Sequence, residues 1–356
     1  MQTRQGFFLD LLSEPHVQYI IPVYQRLYSW TQKQCKTLWT DIMRAASYNR
    51  KHFLSTLLYI PEGEEERRCE IRSIIDGQQR SATVTLLLAA LAKYLDETHN
   101  ELDGIDADTI RRSYLHCDEG VDGELRLILS RTDTETLFAI VNGTSLPNNA
   151  SENVVRNFEF FSAKMQEEGF DAEKLFNGLK LLTVIFAELT NEDSPQLVFE
   201  SLNSKGMPLS TADLIRNFLL IAMTHEEQTR LYDEYWAPIE SMFQPDPGSL
   251  KLNNAVHGWL QVRYTKVRAL KANEVYGVFK AYVEDEFDGT AEELLDELRS
   301  FCLVWAENYK YHAVKAFRSK FDWAKNGKPK TLVSDRPLKD GGPKTPPSYR
   351  DIDVYL

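Results

Sequence analysis

Alternation and helical periodicity divide the chain into a mixed first part and a helical second part. Val17-Gln-Tyr-Ile-Ile21 and His52–Ile60 carry the β-branched and aromatic residues of strands, and Ile71, Ile74 and Ile75 mark a third. Leu125–Leu129 and Leu182–Leu189 read as two more. Phe7–Leu12 is a short amphipathic segment, and Thr31 reads as the cap of a helix running to Tyr48, with Cys35, Leu38, Trp39 and Ile42 on its buried face. Pro22 biases Ile21 towards an extended backbone, so the aromatic-rich stretch 21–30 reads as a loop leaving a sheet. The apolar run Val84–Leu95 predicts a long helix that starts soon after the strand at Ile75.

A helix is expected near Asp108–Cys117, and from Asp133 onwards the pattern is almost wholly helical. Ser151 caps a helix to about Glu168, Asp171–Leu181 is another, and further helices are expected at about 226–243, 250–265, 273–286 and 291–320. Gly206 stops one helix, and Ser210 with Asp213 three residues later forms a capping-box start for the next. The acidic stretch Glu62–Glu66 reads as a solvated hairpin loop, and the Lys-, Gly- and Pro-rich tail from Lys325 as a linker. The expected fold class is therefore α+β and predominantly helical. Residues 1–130 would form an α/β domain, 131–324 a mainly helical region that completes the pocket, and 325–356 a linker.

Charge narrows the range of functions. The net charge of −12 argues against a surface that is nucleic-acid footprint throughout. Two local runs depart from it: seven basic residues against Asp322 alone between Lys310 and Lys330, and Lys251, Arg263, Lys266, Arg268 and Lys271 with no acid from Gly248 to Asn273. Each is a solvated helix face or a phosphate contact. No apolar run reaches the length needed to span a bilayer, and the N-terminus lacks the apolar core of a signal peptide, which implies a cytoplasmic protein with no membrane partner. Cys35, Cys69, Cys117 and Cys302 are scattered without paired spacing, as expected of reduced, packed thiols.

Familiar catalytic devices are missing. None of the seven histidines sits at metal-ligand spacing with a second histidine or a cysteine, and there is no Gly-x-x-x-x-Gly-Lys-Ser/Thr phosphate loop. The informative stretch is Asp76-Gly-Gln-Gln-Arg80, between strand and helix. A helix start offers unpaired N–H groups with positive partial charge, and Arg80 in the first turn opposes the dipole, so an anion bridging the two would relieve the conflict. Gly77 lets a backbone approach a ligand. The alternative is a turn whose polar residues only cap a helix. Tyr24, Gln25 and Arg26, together with Asn203, Lys205, Asp213 and Asn217, are candidates to complete the cluster, or else edge cover and plain caps. Arginines and amides suit phosphate and base edges, and a carboxylate among them could hold Mg²⁺ or orient water.

The stretches 21–30 (Ile-Pro-Val-Tyr-Gln-Arg-Leu-Tyr-Ser-Trp), 74–80 (Ile-Ile-Asp-Gly-Gln-Gln-Arg) and 199–217 resemble, in order and spacing, the N-terminal domain of GmrSD-type restriction proteins. These are modification-dependent defence proteins that also include the phosphorothioate-sensing SspE. The resemblance reaches from about residue 5 to about 310. It implies a ParB/sulfiredoxin-like α/β core followed by a helical region. It also implies binding and hydrolysis of an NTP, often GTP, at the Asp-Gly-Gln-Gln-Arg motif, with sensing of modified duplex DNA. On that reading Asp76, Gln78, Gln79 and Arg80 are catalytic, with Asp76 on Mg²⁺. Tyr24, Gln25, Arg26, Gly77, Thr83, Asn203, Lys205, Asp213 and Asn217 would line the nucleotide or DNA pocket. A C-terminal His-Asn-His nuclease domain is implied too. It is absent from these residues, so the chain reads as part of a longer protein or as one subunit partnered by a separate nuclease, with room for a homo-oligomer. Where the motif usually continues Leu-Thr-Thr, this chain has Ser81-Ala82-Thr83, which bears on the phosphate contacts.

The leading expectation is an NTP-hydrolysing sensor of an antiphage restriction system, coupling turnover to DNA recognition and nuclease control. The alternatives are a non-hydrolysing module that reads a modified base or phosphorothioate backbone, and a ParB-like domain that itself nicks DNA.

Overall fold

The computed structural model describes residues 1–62, 70–117, 124–190, 192–203, 209–243, 250–264, 271 and 274–307. The chain divides into two compact units, Met1–Gly206 and Met207–Leu356. Among the described residues the fold is α+β and predominantly helical.

The first unit contains β1 (Gln2–Phe7), α1 (Phe8–Leu12), β2 (Val17–Ile20), α2 (Gln32–Tyr48), β3 (His52–Glu62), β4 (Glu70–Asp76) and α3 (Gln78–Thr98). After them come α4 (Ala107–Ile110), a π-helical turn over Arg111–Leu115, β5 (Leu127–Ile128), α5 (Thr132–Asn142), α6 (Glu152–Met165), α7 (Ala172–Lys180), β6 (Leu182–Glu188) and α8 (Pro195–Asn203). The strands form one mixed sheet in the order β1-β6-β3-β4-β2-β5. β4 runs antiparallel to β3 and parallel to β2. β6 joins the sheet parallel to β3, with Thr56 opposite Ile185, so this unit extends well past residue 130.

One strand is invisible to pattern reading. The Gln-Thr-Arg-Gln-Gly-Phe sequence of β1 buries no side chain fully, and it is held at the sheet edge by backbone pairing with β6. Helix α3 is the opposite case. Fourteen of its residues are buried, among them Leu86, Leu87, Leu88 and Leu91, so it is apolar nearly all round. Each such leucine contributes on the order of 2 kcal/mol by leaving water. The helix packs against α6, while α2 packs against α7. At Gly178 that second contact is so close that a Cβ would collide with the backbone oxygen of Ile42.

The second unit contains α9 (Thr211–Leu220), α10 (His225–Leu231), a π-helical segment over Tyr232–Trp236, α11 (Ala237–Met242), α12 (Leu250–Arg263), α13 (Val275–Asp285) and a helix over 291–307. Its interior holds a buried ion pair, Arg216 with Glu240. That carboxylate also accepts from the Tyr232 hydroxyl at 2.6 Å and the Trp236 indole N–H at 2.9 Å. Cys35, Cys117 and Cys302 are free and buried, and burial pushes the Cys35 thiol up to about 11. Cys69, most of the acidic hairpin loop, Lys266, Arg268, the Lys310–Lys330 run and the tail from Lys325 lie outside the described residues.

Candidate functional site at the Gly77 turn

Ile71, Ile74 and Ile75 are buried in β4, which ends at Asp76, and α3 begins two residues later at Gln78. The whole connection is Gly77, at φ +99°. A Cβ there would stand 2.8 Å from the Leu57 side chain and 3.2 Å from the Thr56 carbonyl oxygen, so both the dihedral and the neighbouring strand require glycine. That requirement comes from the protein's own packing and involves no ligand. Helix α3 then starts without a side-chain cap and with no acidic residue in its first turn. Its N–H groups and the Arg80 guanidinium put positive charge at one place.

Asp76 and Arg80 flank this turn, both half-buried. Neither side chain has a hydrogen-bond or ion-pair partner among the described residues. Opposite charges this close in sequence usually find each other or a third group, and half-burial raises the cost of leaving them unpaired.

The two glutamines behave differently. The Gln79 side-chain oxygen accepts the backbone N–H of Ser29 at 2.8 Å, that of Trp30 at 3.3 Å and the Ser29 hydroxyl at 3.3 Å, while its amide nitrogen donates to the Leu27 carbonyl at 3.4 Å. Gln79 is therefore a brace for the loop 21–30. Gln78 donates to the Gln25 side-chain oxygen at 3.0 Å, and Gln25 donates in turn to the Ile75 carbonyl at 3.2 Å. The Gln78 Oε1 atom is buried with no partner among the described residues.

Tyr28 anchors the same loop. Its N–H donates to Asp133 Oδ2 at 2.6 Å, and its hydroxyl lies 2.7 Å from that of Thr83 and receives the Asn157 amide at 3.0 Å. Thr83 also donates to the Gln79 carbonyl at 2.7 Å, so its hydroxyl is engaged inside the protein. Ser81 turns its hydroxyl back to the Gly77 carbonyl at 3.2 Å and is buried. Burial raises the Tyr24 and Tyr28 hydroxyls far above their ordinary value, which keeps both protonated at neutral pH.

Between this loop, the start of α3 and the segment 129–133 lies a narrow cleft of about 10 Å³, lined by Ile21, Arg26, Tyr28, Gln78, Gln79, Ala82, Leu129, Ser130 and Asp133. Asp76 and Arg80 do not line it. The residue that pattern reading missed is Asp133, 1% exposed, whose carboxyl is pushed up by burial despite the hydrogen bond from the Tyr28 N–H and the nearby Arg131 charge. In the sequence it looks like an ordinary acid in a first helical turn, and only the packing of α5 brings it to Tyr28. Arg131 beside it adopts φ +52°, which side chains rarely allow.

The other candidates belong to other elements. Asp213 and Asn217 belong to α9 of the second unit. There Asp213 accepts from the Ser210 N–H at 3.2 Å and the Ser210 hydroxyl at 2.7 Å, as the expected capping box, and from Arg216 at 2.8 Å. Asn217 is buried. Asn203 ends α8, and Lys205 lies outside the described residues. No group of three or more His, Cys, Asp or Glu side chains converges among the described residues. A Mg²⁺ ion would find Asp76 as its one open carboxylate at this turn and would need its other ligands from water or a bound group. No helix is long and apolar enough to cross a membrane.

No curated protein matches the chain in sequence. The family model for the N-terminal domain of the GmrSD restriction endonuclease matches residues 8–220, more than half of the chain, and spans both the Gly77 turn and the α9 cap. The chain is a restriction-system component and belongs to the GmrSD restriction endonuclease N-terminal domain family.

Proposed function

We propose that the Gly77 turn binds and hydrolyses a nucleoside triphosphate, with GTP the favoured substrate, and that turnover is coupled to recognition of modified DNA and to control of a nuclease. The nuclease would be a His-Asn-His domain or a separate subunit. The observation that carries this reading is the pair of unpaired charges, Asp76 and Arg80, at an uncapped helix start.

Arg80 and the first N–H groups of α3 would take phosphate oxygens, since donors aimed at developing negative charge act most strongly where water is excluded. Asp76 would hold Mg²⁺, which when bound neutralises phosphate charge. The free Gln78 oxygen would orient water, and Arg26 would border the bound group. Gln79 and Thr83 keep the loop 21–30 in place.

The test is turnover of GTP and ATP by this chain with modified and plain duplex. Hydrolysis is expected to fall about a hundredfold or more in Arg80→Ala and in Asp76→Ala, as when a transition-state donor is removed. Absence of turnover in the wild type, or equal turnover in Arg80→Ala, rejects the reading. The size of the cleft favours a second one. It is far smaller than the roughly 300–1,000 Å³ of ordinary ligand pockets and too tight for a nucleotide, which suits a module that reads DNA without hydrolysing an NTP. Selective binding of modified duplex without turnover would support that alternative, and Mg²⁺-dependent nicking lost in Asp76→Ala would support a nicking domain.

A further inference from the structure

A second concavity adjoins the end of the loop 21–30. It is an open groove of about 340 Å³ between the start of α2 and the first turns of α6, lined by Thr31, Gln32, Lys33, Asn153, Arg156 and Asn157. Its charge is one-sided. No acidic residue occurs from Pro15 to Thr40, in a chain whose net charge is −12. Helix α2 has no acid in its first turn, where neutral Thr31 and Gln34 form a capping box and leave the positive end of the helix without a counter-charge of its own. Lys33 and Lys36, one helical turn apart and both exposed, have no ion-pair partner among the described residues. Arg156 pairs with Glu152, which does not line the groove.

The floor of the groove is tied to the candidate site. Asn153 donates to the Tyr28 carbonyl at 3.2 Å, and Asn157, 1% exposed, donates to the Trp30 carbonyl at 2.8 Å as well as to the Tyr28 hydroxyl. The lining is polar and cationic, without an aromatic face on which a base could stack.

We propose that this groove seats the phosphate backbone of duplex DNA, with Lys33 and Arg156 as the cations that line it and Lys36 one turn further along α2. Neutralising phosphates releases condensed counterions and is independent of sequence, which is what an open cationic groove can do. The proposal rests on the DNA-recognition half of the function above and is independent of nucleotide turnover. A strand seated here would press on the loop that Gln79 and Asp133 brace.

The experiment measures binding of the full chain to a short plain duplex by fluorescence anisotropy between about 50 and 200 mM salt. Lys33→Glu/Lys36→Glu is expected to weaken binding at least about tenfold and to lower the slope of log K against log salt by about 2, with Arg156→Glu lowering it by about 1. Lys33→Gln/Lys36→Gln should give the same direction with a smaller loss. Arg112→Glu, an exposed charge reversal elsewhere in the first unit, is the control and should stay within about twofold. A wild type without salt-dependent binding, or a Lys33→Glu/Lys36→Glu variant that loses no more than the control, overturns the assignment. Hydrolysis without DNA, measured in parallel, reports on the Gly77 turn alone, so the two proposals can fail separately.

Discussion

Two helix starts in this protein each gather a carboxylate and an arginine and differ in their chemistry. At the start of α9, Ser210, Asp213 and Arg216 satisfy one another, and Arg216 reaches on to buried Glu240. At the start of α3, the Asp76 and Arg80 side chains have no partner among the described residues, while the glutamines between them hold a loop. A polar cluster that closes on itself is explained by stability. One that leaves opposite charges open at a positive helix end calls for something from outside.

The comparison can be broken most sharply by removing the arginine from each. Arg216→Ala should destabilise the second unit by about 3–5 kcal/mol, because buried Glu240 loses its counter-charge. Arg80→Ala should stay within about 0.5 kcal/mol in urea unfolding, as a substitution that removes no internal contact. Equal losses in the two variants would erase the distinction.

A smaller effect separates residues within the motif. Gln79→Ala strips the acceptor from the Ser29 and Trp30 N–H groups and should cost about 1–3 kcal/mol. It should also expose the loop 21–30 to limited proteolysis. A Gln79→Ala protein as stable and as resistant as the wild type would mean that the brace is not needed.

The smallest effect is in pH. Burial holds the Asp133 carboxyl above its ordinary range, so relative to the unfolded chain its contribution is most favourable below the ordinary carboxylate value of about 4 and is lost as pH rises through the raised one. Asp133→Asn removes that loss, so its stability relative to wild type should rise across this window and stay level below it. A difference between the two unfolding curves that is flat in pH would show that the carboxyl is not shifted.

Much of this organisation was legible in the chain. The isoleucines before Asp76, the apolar run after Arg80, the Thr31 cap and the Ser210 box are local signals, and each element stands where they point. Three things were not legible. β1 carries no buried side chain, because a sheet edge needs only backbone. Asp133 looks like a helix-start acid until α5 brings it to the Tyr28 N–H. The division of labour within Asp76-Gly-Gln-Gln-Arg80 depends on partners about fifty residues away, at Gln25, Ser29 and Trp30.

The sequence by itself determined the strand, the turn and the helix, and that a carboxylate, a glycine, two amides and an arginine would crowd one corner of them. Periodicity and turn chemistry act over a few residues, so a single stretch is enough to show them. Only the tertiary structure decided which of those polar groups are consumed within the protein and which remain open. Hydrogen-bond satisfaction is a property of neighbours in space, and at the Gly77 turn those neighbours come from a different strand and a different loop.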